Sequence, residues 1–154
     1  MSLFSTESPV LASTTIVGSN KVMPYETVNV ALSATSVSQG IFIAPNFSVS
    51  GTANVNPSFK VVGVAVVYGT AGGSGAALTI EHLTGTQAAG AGTALLTATI
   101  PLTGTANTVL YGTLSTTVTA AQGTISPGDR IGVILSGTLT GLANCILQVS
   151  VVPA

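Results

Sequence analysis

The sequence predicts an all-β protein: an antiparallel two-sheet β-sandwich, jelly-roll-like, with about eight strands and an extended N-terminal arm. Two observations carry this. Apolar residues recur with period two rather than the helical 3.6, and the pieces between alternating segments are rich in Gly, Pro, Ser and Asp.

Residues 1–26 form the arm. They hold Glu7, Lys21 and Glu26 with Pro9 and Pro24, and show no sustained alternation. The sandwich domain takes residues 27–154. Its first strand is marked by Val28, Val30 and Leu32 alternating with Asn29, Ala31 and Ser33; a second is expected at Gly40–Ala44. Phe59–Tyr68 is apolar on both faces, with Val61, Ala65 and Val67 on one and Val62, Val64, Val66 and Tyr68 on the other. A strand of that kind is covered on both sides. One sheet supplies one cover, so Val62, Val64, Val66 and Tyr68 are candidate subunit-interface residues.

Gly72-Gly73-Ser74-Gly75 reads as a flexible hairpin tip leading to a strand at Ala76–Thr84. Strands are expected next at Ala94–Ile100 and Thr108–Ser115. After the turn Ser126-Pro127-Gly128-Asp129, Ile131, Val133 and Leu135 alternate with Arg130, Gly132 and Ile134. Cys145, Leu147, Val149 and Val151, alternating with Ile146, Gln148, Ser150 and Val152, make the last strand. Eight strands is the jelly-roll number, and the Cys and Trp pattern of immunoglobulin domains is absent. Gly-Thr-Ala recurs irregularly at Gly51, Gly69, Gly92 and Gly104, which fits glycine supplying unusual backbone angles at strand ends and not a solenoid repeat.

Charge is scarce. Three basic and four acidic residues make 5 % of a 154-residue chain that is 46 % apolar, where an ordinary domain is about a quarter charged. Near-zero net charge favours association, so a homo-oligomer within a larger assembly is expected. Three basic residues give no phosphate-binding footprint, so no nucleic-acid partner is expected. The densest apolar stretch, Val61–Tyr68, is far short of the ~20 residues a membrane-spanning helix needs. No membrane partner is expected either. The N-terminal residues lack the basic segment and apolar block of a secretory signal, which makes synthesis in a host cytoplasm the expectation.

Residues that could carry chemistry are few. In a strand, His82 faces away from its neighbour Glu81 and shares its side with Leu78 and Ile80. It is expected at a sheet or subunit contact. Cys145 shares a side with Leu147 and Val149 and reads as a small core residue; alone, it excludes an intrachain disulfide. Asp129 and Arg130 face apart, Asp129 stabilising a turn and Arg130 reaching a carboxylate such as Glu26 or Glu81 of a neighbouring copy. Arg130 and His82 therefore join the candidate interface. Asn46-Phe47-Ser48 fits a glycosylation triplet without a secretion signal to support it. The glycines at 72–75 lack the Lys-Ser/Thr of a phosphate loop, and four scattered carboxylates do not support calcium. No enzyme activity, cofactor or metal is expected.

From about Thr27 to Ala154 the chain resembles small structural proteins of tailed bacteriophages. The resemblance rests on Ala76-Ala77-Leu78-Thr79-Ile80-Glu81-His82-Leu83-Thr84-Gly85-Thr86, on Gly92-Thr93-Ala94-Leu95-Leu96, on Gly112-Thr113-Leu114, and on Ile125-Ser126-Pro127-Gly128-Asp129-Arg130-Ile131-Gly132-Val133. Capsid cement or decoration proteins are the most similar group. The resemblance implies a virion component on the capsid exterior, a trimeric jelly roll seated where major capsid proteins meet. A two-fold pair would hide the same strand. Under this expectation Phe4, Val10, Leu11, Ile16 and Val17 of the arm lie over the major capsid protein. Two other classes are a trimeric fibre or tail-tip knob binding a host receptor, which would expose aromatic residues at its loops, and a carboxylate-based hydrolase, which would bring Glu81 and Asp129 together.

Overall fold

The computed structural model describes residues 26–34, 38–43, 58–116 and 124–154 of the chain. Within them lie ten β-strands and no α-helix. These are β1 (Glu26–Leu32), β2 (Ser38–Ile43), β3 (Phe59–Val67), β4 (Ala77–Leu83), β5 (Thr93–Ala94), β6 (Ile100–Pro101), β7 (Leu110–Tyr111), β8 (Thr124–Ile125), β9 (Arg130–Ser136) and β10 (Cys145–Pro153). They form a β-sandwich of two five-stranded sheets with every pairing antiparallel. The first sheet runs β1-β10-β3-β7, with β8 also on β3; the second runs β2-β9-β4-β5, with β6 also on β4.

The alternating sequences become the long strands for a plain reason. Their inward residues, Leu147, Val149 and Val151 of β10 and Ile131, Val133 and Leu135 of β9, fill one core with Val64 and Val66 of β3 and Leu78 and Ile80 of β4. Each such side chain contributes on the order of 1.5–3 kcal/mol when fully buried. Cys145 is in this core, and burial pushes its thiol up to about 11.

Two expected strands are broken. In place of Ala94–Ile100, β5 and β6 pair the end and the start of β4, because Leu95 and Leu96 between them turn into the core. Thr108–Ser115 shrinks to β7, and β8 takes the other end of β3. Leu114 bridges Leu96 instead of extending the ladder.

The outward face assigned to β3 is also corrected. Ser150 pairs with Gly63 but Val151 pairs with Val61, so Val62 is an extra, bulged residue. A bulge reverses the parity of everything after it. Phe59 and Val61 point inward before it, and Val64, Val66 and Tyr68 point inward after it. Of the four residues expected at a subunit interface, Val62 alone faces solvent. The other three belong to the chain's own core. The Gly72–Gly75 tip is laced on both sides, Gly72 N–H donating to Leu102 O (2.9 Å) and Gly73 N–H to Thr138 O (2.7 Å). The arm residues Phe4, Val10, Leu11, Ile16 and Val17, the Asn46-Phe47-Ser48 triplet and Gly51 lie outside the described residues.

Candidate functional site

The polar residues gather at one end of the second sheet, where strand geometry sorts them. His82 and Ile131 form an inward-facing cross-strand pair, while Glu81 stands opposite Gly132 and Leu83 opposite Arg130 on the outer face. His82 Nε2 lies 3.0 Å from Asp129 Oδ2, and the same oxygen accepts from Ser126 N–H at 3.0 Å. Pro127 and Gly128, with φ of +90° at Gly128, close that turn, and Asp129 N–H donates back to Ser126 O at 2.8 Å. The pair spans 47 residues of sequence, a contact no spacing rule announces. It ties β4 to the turn before β9. A general base needs an open approach to its substrate; this imidazole is buried and already engaged.

On the outer side of the same sheet, Glu81 and Arg130 work as clamps for the loop of residues 84–92. The Glu81 carboxylate accepts from Gly90 N–H (2.6 Å) and Gly92 N–H (3.0 Å). Arg130 Nη2 donates to Gln87 O (2.6 Å) and Gly85 O (3.2 Å). Gln87 braces the loop internally, its Oε1 accepting from Thr84 N–H (2.8 Å) and its Nε2 donating to Ala91 O (3.2 Å). The loop covers the sheet so closely that Glu81 is 4 % and Leu83 1 % exposed although both face outward. A Cβ on Gly92 would stand 2.5 Å from His82 O, so glycine is needed there for close approach. None of Gly69, Gly92 and Gly104 has positive φ, which corrects the reading of Gly-Thr-Ala as unusual backbone angles. Arg130, expected to reach a carboxylate across an interface, is bound to carbonyls of its own chain. Glu81 and Asp129 serve different partners on opposite sides of the sheet.

Among the described residues, the first sheet has no such cover. Its outer face is laid out in rows by the ladder: Asn29, Gln148, Ala65 and Tyr111 make one row across four strands, and Ala31, Ile146 and Val67 make the next. Tyr111 is 78 % exposed, Val62 50 %, Val109 49 % and Ile146 47 %. Among the described residues whose side chains point out from this face, Lys60 carries the one charge. A groove of about 210 Å³ lies between Asn29 and Gln148 on one side and Val67 and Val109 on the other, and a second of about 170 Å³ lies at the sheet's edge, between residues 97–101 and 110–113. A corrugated face with one described charge and four large apolar side chains has the composition that protein contacts use.

Sequence reasoning missed Tyr111, Val109 and Ile146. Ile146 had a signal: it and Val152 are apolar at the outward positions of β10. Comparison of the chain with protein-family models, with characterised proteins and with solved structures finds no match. Among the described residues, no three His, Cys, Asp or Glu side chains gather as a metal site, and no helix is long and apolar enough to cross a membrane.

Proposed function

We propose that the chain is a non-enzymatic structural protein of a phage virion, acting as an oligomer on the outside of the capsid and stabilising the head by bridging major capsid proteins. The bare face of the first sheet carries this reading. Its exposed Val62, Val109, Tyr111 and Ile146 come from a chain with too little charge to keep such a face in water.

The strand order supports it. β1 pairs β10, β2 pairs β9, β3 pairs β7 and β8, and β4 pairs β5 and β6. Counting each split pair as one strand, these pairings nest like a single long hairpin wrapped over itself, an order that supports a jelly-roll reading, the architecture of viral capsid domains as well as of lectins and cupins. Attachment at many equivalent lattice sites makes the stabilisation of a head under outward pressure cooperative through multivalency. Glu26, the last residue of the expected arm, opens β1, and in this reading the rest of the arm, residues 1–25, docks on the capsid.

The test is co-sedimentation of the purified protein with DNA-filled, tail-less heads that lack it, with bound copies counted. Saturation at a whole multiple of the lattice sites is expected, with loss of binding when residues 1–25 are removed. A well-folded oligomer that does not attach contradicts the reading and moves the choice to a fibre or tail-tip knob, which a glycan array would detect.

A further inference from the structure

We infer that the outer face of the first sheet is a homotypic contact, in which two copies pack face to face about a two-fold axis running along the strands. This rests on the oligomeric part of the reading above and not on its capsid part.

The rows supply the argument. A two-fold along the strand direction reverses the order of strands across the face, so β1 of one copy meets β7 of the other and β10 meets β3. The row Asn29, Gln148, Ala65, Tyr111 is then opposed by itself in reverse. Tyr111 of each copy falls over Asn29 of the partner copy, and the long Gln148 falls over the small Ala65. Gln148 Nε2 already donates to Asn29 Oδ1 at 3.3 Å within one chain. That bond leaves the Asn29 amide nitrogen and Gln148 Oε1 to meet an incoming phenol. In the next row, Ile146 of one copy meets Val67 of the other. In the first row large meets small and hydroxyl meets amide, and in the next apolar meets apolar, the self-complementarity an isologous interface requires of a single patch.

Charge and area fit a second copy as the occupant. With Lys60 as the one charged side chain described on the face, a copy of the same face presents neither a concentrated opposing charge nor a carboxylate to bury unpaired. Three long strands of seven to nine residues about 4.8 Å apart, with the two-residue β7 at their edge, present on the order of 400 Å² per copy, or roughly 800 Å² for the pair. That is the scale of a weak, reversible contact. Tyrosine is among the usual anchors of such contacts, and Tyr111 enters twice, once at each edge of the symmetric pair; truncating an anchor weakens association about 30-fold or more.

Sedimentation velocity on the full chain tests the contact and its register together. Wild-type protein is expected to dimerise reversibly. Tyr111→Asp and Asn29→Arg are each expected to raise the dissociation constant by about 30-fold or more, with far-UV circular dichroism unchanged because both sites are exposed. An equal mixture of the two variants is expected to regain dimer, since the carboxylate introduced on one copy then opposes the guanidinium introduced on the other across the two-fold. A monomeric wild type, variants that associate as wild type does, or a mixture that stays monomeric would each overturn the inference. Head attachment is scored separately by co-sedimentation, so an intact dimer that fails to bind heads counts against the capsid reading alone.

Discussion

The two sheets of this sandwich carry opposite outer faces. The second sheet is roofed by its own chain: Glu81 and Arg130 reach up from β4 and β9 to hold the amides and carbonyls of the 84–92 loop, and Leu83 is sealed beneath it. The first sheet, built from strands of similar length and the same alternation, carries no such roof among the described residues, and Tyr111 stands clear of it. Three of the few polar side chains with charge or hydrogen-bonding reach, Glu81, Arg130 and Gln87, are spent on the roof. Among the described residues, Lys60 is the one charge on the outer face of the other sheet. The difference teaches that in the second sheet scarce charge closes the fold on itself, and under the proposal above the nearly uncharged face of the first is what remains for other protein.

The largest way to break the contrast is to unroof the second sheet. Glu81→Ala removes two charge-assisted bonds to backbone amides and uncovers Leu83, so urea unfolding should show a loss of about 3 kcal/mol, equivalent to a fall of roughly 6–12 °C in Tm. The unroofed sheet should also bind more of a hydrophobic dye than the native protein does.

A gentler comparison uses the central glycine of each outer face. A Cβ on Gly132 would lie 2.8 Å from Leu83 Cδ1 and 3.1 Å from Glu81 Oε1, whereas one on Gly63 meets nothing nearer than Ser150 Cβ at 3.7 Å. Gly132→Ala should therefore destabilise by about 2 kcal/mol through overpacking. Gly63→Ala should stay within about 0.5 kcal/mol of wild type in the same titration. Equal costs would mean that the two faces are equally covered.

Beneath the open face the interior is closed, and Cys145 reports on it. Its folded pKa of about 11 is above the ordinary thiol value of 9.0, so between those two pH values the unfolded chain loses a proton that the folded chain keeps. Stability contributed by the neutral thiol is complete below pH 9 and falls as pH rises toward 11, on the order of 2 kcal/mol over the window. Denaturation of wild type against Cys145→Ala should show this slope in wild type alone. Native protein at about pH 8 should leave a thiol reagent unreacted.

Much of the fold was legible because period two is a direct record of which side chains are inside. β1, β9 and β10 follow their alternation, and the opposed sides of Glu81 and His82 in β4 follow from it too. The failures have local causes. One bulged residue, Val62, reversed the parity of β3 and moved Val64, Val66 and Tyr68 from an expected interface into the core. Leu95 and Leu96 broke a strand by turning inward. The His82–Asp129 pair and the roof over the second sheet depend on contacts between distant or looping segments, which no local pattern encodes.

The most direct test of the contrast between faces is hydroxyl-radical footprinting of the full-length protein across a dilution series, read residue by residue by mass spectrometry. The account predicts that Val62, Val109, Tyr111 and Ile146 are protected at high concentration and become reactive on dilution, while residues 84–92 react equally throughout. Reactive Tyr111 at every concentration, with protection growing over residues 84–92 instead, would contradict it.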